Sequence, residues 1–147
     1  MSLHITSTSK SVKVQATKKS ELRSLIEQEL KHQGPDADLN FIDVAEITDM
    51  YELFYQLDIR NIKIDQWDVS NVTDMYGMFY NCKNFNCDLS KWDVSKVKNM
   101  RIMFADCHEF ESDLSSCDVS NVSSKAVMFE NCFKMLTNEN LQPKFAW

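Results

Sequence analysis

Two kinds of side chain capable of chemistry recur in this 147-residue chain at a spacing of 25. Four are aspartates, Asp43, Asp68, Asp93 and Asp118, and three are cysteines, Cys82, Cys107 and Cys132. A ladder of carboxylates on stacked coils about 4.8 Å apart would offer Ca²⁺ the oxygen ligands it favours. Ca²⁺-binding repeats use glycines to let carbonyls converge, however, and Gly77 is the only glycine between residues 42 and 141. Each aspartate is therefore expected to accept backbone N–H bonds within its own turn. The cysteine column has no CxxC and no histidine, so it falls short of the four tetrahedral ligands that zinc needs. These three thiols are expected to be small buried apolar groups. Neighbours in the column come within disulfide range, yet three in a row cannot all pair. Cys87 and Cys117 lie outside the column.

Nucleophilic catalysis has no candidates. His4, His32 and His108 share no spacing with a Ser, Cys or acid that would make a triad, and adjacency points the side chains of Cys107 and His108 apart. A P-loop, a GxGxxG and an HExxH are all absent from the sequence. The chain thus reads as a non-enzyme, with no catalytic residue, metal ligand or cofactor. What stands out instead is aromatic. All four tyrosines fall at the same offset as two pairs, Tyr51 with Tyr76 and Tyr55 with Tyr80. Tyrosine is frequent at binding hot spots because its ring buries apolar area while its hydroxyl can be paired. The four are candidate partner-binding residues, forming a two-by-two tile for a protein partner or for self-association. The alternative is that the rings pack against each other or beneath an N-terminal cap.

A repeat must position these groups. Trp67-Asp68-Val69-Ser70-Asn71-Val72-Thr73-Asp74-Met75 recurs as Trp92-Asp93-Val94-Ser95-Lys96-Val97-Lys98-Asn99-Met100. Weaker copies begin at Ile42 and Cys117, so four units abut without insertion at 42–66, 67–91, 92–116 and 117–141. Apolar residues hold positions 6, 9, 12, 13 and 16, including Phe54, Phe79, Phe104 and Phe129 at position 13, except that Lys125 takes position 9 of the last unit, where Glu139 also replaces an apolar column member. That spacing predicts a short helix, capped by Thr48, Thr73 or the aspartate after each. Residues 62–65 and 85–90 alternate apolar and polar, which predicts a strand. One strand and one helix per 25 residues make an α/β solenoid whose coils bury their faces by stacking, with the Phe column as a continuous spine.

The flanks depart from the pattern, as terminal units do. Residues 10–41 read as an N-terminal cap with a strand at Val12-Lys13-Val14, followed by a helix carrying Leu22, Leu25, Ile26 and Leu30. Thr17 or Ser20 can cap that helix and Gly34-Pro35 stops it, before a first strand at 38–42. Residues 142–147 read as a C-terminal cap that lays Phe145 and Trp147 over the open end. The whole chain, 1–147, is expected to be a single domain.

Charge narrows the partners further. Residues 1–34 carry six basic and three acidic side chains, and residues 35–147 carry ten basic and nineteen acidic, for a net charge of −6 overall. An acidic body disfavours nucleic acid. No apolar run approaches the roughly 20 residues of a membrane span. The first seven residues hold no apolar signal region, and five cysteines are an odd number, so a reduced cytoplasmic protein is the default expectation. A trimmed signal segment would place it at the cell surface instead.

The strings WDVSNVTDMYGMF and WDVSKVKNMRIMF resemble the 25-residue repeats of the mycoplasma-type BspA-like surface proteins, as does Asp38-Leu39-Asn40-Phe41-Ile42-Asp43 after the helix. The likeness covers roughly residues 17–141. It implies a leucine-rich-repeat-like solenoid of four coils behind a helical cap, used for protein binding and often displayed at cell surfaces. It implies no catalytic residues. Two function classes follow: a protein-binding module of unknown partner, or a surface-displayed adhesion or antigenic structural protein.

Overall fold

The computed structural model describes residues 13–146. Val12 and Trp147, with their expected strand and capping roles, lie outside the described residues, as does His4. Strand β1 (Val14–Gln15) pairs in parallel with β2 (Ile42–Asp43), in the register Val14 to Ile42 and Gln15 to Asp43. Between them runs helix α1 (Lys19–Gln33). Its apolar stripe turns inward, with Leu22 and Ile26 buried and Leu25 and Leu30 packed at the core's edge. Neither Thr17 nor Ser20 caps it. The N-cap is Lys18, without a side-chain bond, and Glu21 reaches back to accept the N–H of Thr17 at 2.8 Å. Gly34 ends the helix at φ +86°, donating its N–H to Leu30 O at 2.8 Å. The remaining helices are α2 (Phe133–Leu136) and a short 3₁₀ turn at Glu139–Leu141.

The expected α/β leucine-rich-repeat-like solenoid, four coils of strand and helix behind a helical cap, is overturned. Regular structure is confined to the elements just named, and residues 44–132 form neither a helix nor a strand longer than one bridge. The alternating stretch 62–65 makes a single bridge, Lys63 with Asp38, and 85–90 makes none. The first strand expected at 38–42 is likewise reduced to that bridge and the two residues of β2.

The reason lies at repeat positions 11 and 15. Glu52, Gly77, Ile102 and Val127 occupy the first, with φ of +52°, +55°, +47° and +50°. Gln56, Asn81, Asp106 and Asn131 occupy the second, with φ of +60°, +64°, +60° and +56°. A right-handed helix needs every residue near φ −60°, so a left-handed residue every fourth position makes one impossible. What forms is a row of tight turns. In the first unit the N–H groups of Leu53, Tyr55 and Leu57 donate three residues back, to Met50, Glu52 and Phe54 O, at 3.2, 3.1 and 3.0 Å. The intervening N–H groups of Met50, Glu52, Phe54 and Gln56 point out of the row. They donate to Asp74, Tyr76, Met78 and Tyr80 O of the next unit, at 2.9, 2.8, 2.8 and 3.2 Å. Equivalent bonds join the second unit to the third and the third to the fourth, with parallel bridges Asp49–Asp74, Asp74–Asn99 and Asn99–Ser124.

This row keeps the apolar positions on one side, as a helix would have done. Met50, Phe54, Met75, Phe79, Met100 and Phe104 are buried. Phe54, Phe79, Phe104 and Phe129 stack nearly parallel, at centroid distances of 5.2, 5.4 and 5.7 Å. A second file interleaves with them, Phe85 lying 4.2 Å from Phe79 and Phe110 4.1 Å from Phe104. Trp67 and Trp92 close the other side of the core, their indole N–H groups donating to Leu39 O at 2.9 Å and Ile64 O at 3.0 Å.

Candidate functional site

The side chain of each position-10 tyrosine leaves the turn row just before its left-handed residue. Successive units then bring equivalent rings face to face. Tyr51 stacks on Tyr76 at 4.7 Å and Tyr55 on Tyr80 at 5.2 Å, with interplanar angles of 10° and 15°. The ring faces are thus used against each other, and ring edges and hydroxyls form the outer surface. Tyr51 is 40% exposed, and Tyr55, Tyr76 and Tyr80 are half-buried. None of the four hydroxyls has a hydrogen-bond partner among the described residues. On one side Lys19 of α1 places its ammonium 5.1 Å from the Tyr51 ring and 3.4 Å from Asp49. On the other, the position after Tyr76 in the stack belongs to Arg101, which is exposed. Partial desolvation, reinforced by the negative charge of Glu52, raises the Tyr51 phenol above its ordinary value.

The aspartate column is turned into its own backbone. Asp68, Asp93 and Asp118 each accept the N–H of the serine two residues on at 3.0 Å, and also its hydroxyl, at 2.5, 2.6 and 2.6 Å. Asp43 accepts the Ala45 N–H at 3.0 Å. The serine bonds hold the carboxyls of Asp68, Asp93 and Asp118 below the ordinary range. Asp49, Asp74 and Asn99 close similar turns on Tyr51, Tyr76 and Arg101, replacing the helix caps expected near Thr48 and Thr73.

The cysteine column is buried. Cys82 and Cys107 donate their thiols to Phe54 O at 3.0 Å and Phe79 O at 2.9 Å. Desolvation pushes Cys82 and Cys132 up to about 12 and Cys107 higher still, so these thiols are protonated at neutral pH. His108 lies against the Phe133 ring at 5.0 Å rather than facing Cys107. A groove of about 490 Å³ runs past Asn40, Asn61, Asp65 and Asp88. In it Asn40 donates to Asp65 at 3.0 Å and accepts the Gln66 N–H at 3.1 Å.

Sequence reasoning picked out the tyrosines but missed the turn row that presents them. A signal was there: Asn81, Asp106 and Asn131 share one column, and Asn and Asp are the non-glycine residues that best tolerate left-handed backbone.

A chain whose backbone bonds join equivalent positions of successive 25-residue units, with aromatic pairs along one flank, is a repeat protein that presents side chains from a fixed frame. It belongs to the family described as mycoplasma protein of unknown function, DUF285, whose model matches residues 22–142. No curated protein and no solved structure matches the chain. Among the described residues no helix is long and apolar enough to cross a membrane.

Proposed function

We propose that this protein is a non-enzymatic binding module whose tyrosine flank docks a protein partner. The observation that carries this reading is the pair of tyrosine stacks, with four hydroxyls left for a partner to engage and Lys19 and Arg101 at the ends of the row. Later units place Ala105, Ala126 and Glu130 at equivalent positions, so folding does not demand aromatics there. Rings already stacked lose little side-chain entropy on binding, which favours their use as anchors. The test is affinity capture from the source organism with the wild-type chain and with a Tyr76→Ser, Tyr80→Ser double variant. A protein retained by the wild type and lost by a folded double variant supports the flank. Equal retention, or unfolding of the double variant while Tyr76→Phe, Tyr80→Phe stays folded and retains normally, makes the stacks structural only.

A second reading rests on the family match and on the WDVSNVTDM strings, which favour BspA-like repeats within that family. On that reading the protein is displayed at the cell surface for adhesion or as an antigenic structure, rather than held in the cytoplasm. Protease treatment of intact cells separates the two. Digestion supports surface display, and survival supports an internal partner.

A further inference from the structure

Backbone pairing between the first two units lays the tyrosines of one row on those of the next. Tyr51 and Tyr76 meet face to face, with ring centroids 4.7 Å apart and planes 10° from parallel. Tyr55 and Tyr80 repeat the arrangement at 5.2 Å and 15°. These contacts run only between units. Among the described residues no ring contact joins Tyr51 to Tyr55 or Tyr76 to Tyr80, four residues apart along a row. The first pair is the more accessible, through the exposed ring of Tyr51. Other oxidisable groups of the array are shielded. Trp67 and Trp92 are buried, and the thiols of Cys82, Cys107 and Cys132 are protonated, whereas peroxide attacks cysteine as its thiolate.

We propose that Tyr51 and Tyr76 form a site of oxidative modification, where one-electron oxidation joins their rings into a dityrosine that clamps the first unit to the second. The oxidant is hydrogen peroxide acting through a haem peroxidase. Each phenol gives up one electron and the proton of its O–H, and the peroxide takes up two electrons and two protons to become two waters. The two tyrosyl radicals then form one carbon–carbon bond between ring carbons ortho to the oxygens. The hydrogen on each of those carbons moves to a phenolic oxygen as the rings regain aromaticity, so the pair ends two hydrogens lighter. Unpaired density on an ortho carbon lies above and below the ring plane, and the new bond must therefore form through the faces. Stacked rings already present those faces to each other, and the backbone holds them there without the entropy cost of an encounter. Electron exchange across the stack moves a radical from Tyr51 to Tyr76, which leaves the exposed ring to be oxidised a second time. No hydroxyl bond within the described residues has to be broken as the protons leave. The chemistry uses ring faces in contact rather than outward edges, so it does not depend on the docking role of the flank.

The full chain, kept dilute, is treated with hydrogen peroxide and a haem peroxidase, then digested and mapped by fragmentation mass spectrometry. Links joining Tyr51 to Tyr76 should exceed those joining Tyr51 to Tyr55 or Tyr76 to Tyr80 by about tenfold or more. The product should run as a monomer on a denaturing gel. Its thermal midpoint should rise by about 5 °C or more, because the link closes a loop between the two units. Tyr51→Phe keeps a stacked ring but has no phenol to oxidise, so it should abolish this link and leave Tyr55 joined to Tyr80. Tyr76→Phe is the second variant should the first disturb the fold. Any of five results overturns the proposal: no dityrosine under conditions that couple N-acetyltyrosine, equal yields within a row, links between separate molecules, an unshifted midpoint, or Tyr76 of the Tyr51→Phe chain coupling as readily to Tyr80.

Discussion

Arg23 Nη1 lies 3.0 Å from Leu53 O, on the carbonyl that in each later unit is taken by a backbone N–H of the unit before. Met78 O accepts from Phe54, Met103 O from Phe79 and Met128 O from Phe104. A helix side chain thus completes the row that has no earlier row to pair with. Arg23→Ala should cost about 1–2 kcal/mol in urea unfolding, the scale of a charge-assisted bond whose acceptor is left half-buried. Arg23→Lys should not fully restore it, because an ammonium lacks the planar fork that reaches both Leu53 O and Glu52 O.

Val127 holds φ +50° with a β-branched side chain and is half exposed, so it gains little from burial to offset the strain. Val127→Asn, which copies the residue that fills the left-handed position at Asn81 and Asn131, should raise stability by about 1 kcal/mol. A fall in the thermal midpoint would show that the Val127 side chain contributes more than its conformation costs.

Phe104 sits in the middle of the aromatic file, between Phe79 at 5.4 Å and Phe129 at 5.7 Å, with Phe110 at 4.1 Å. Phe104→Ala should cost about 3–5 kcal/mol. Phe129→Ala should cost less, because Phe129 is 8% exposed and, among the described residues, stacks on Phe104 alone. Equal losses in denaturant melts would contradict this ordering.

The buried thiols make the protein sensitive to alkali. Desolvation raises Cys82 and Cys132 to about 12 and Cys87 to about 11, while in the unfolded chain they ionise near their ordinary value of 9. Between those limits the folded state binds more protons, so stability falls as pH rises. It is fully present below about pH 9 and declines from there to about 12, by up to roughly 1 kcal/mol per pH unit for each buried thiol. Urea midpoints at pH 8 and 10 should show the drop, and Cys107→Ala should lessen it. Cys82, Cys107 and Cys132 should resist a thiol reagent until the chain unfolds.

The period of 25, the Phe column and its burial, the helical stripe of α1 and the tyrosine pairing follow from residue order, because identity at fixed spacing survives whatever backbone carries it. The backbone itself did not follow. Apolar residues at positions 6, 9, 12, 13 and 16 suit a helix and a row of turns equally well, since both return to one face every three or four residues. Local preference argues against a left-handed Ile102 or Val127, so no reading of those residues alone would place them there. The choice was made between units. A helix would satisfy the N–H groups beyond its first turn within its own unit, whereas the turn row leaves alternate N–H groups pointing outward, to be accepted by a neighbouring row 25 residues away. That same interdependence, present only in the assembled chain, stacks the tyrosine faces and recruits Arg23 at one end of the array. At the other end the N–H groups of Val127, Phe129 and Asn131 have no acceptor among the described residues.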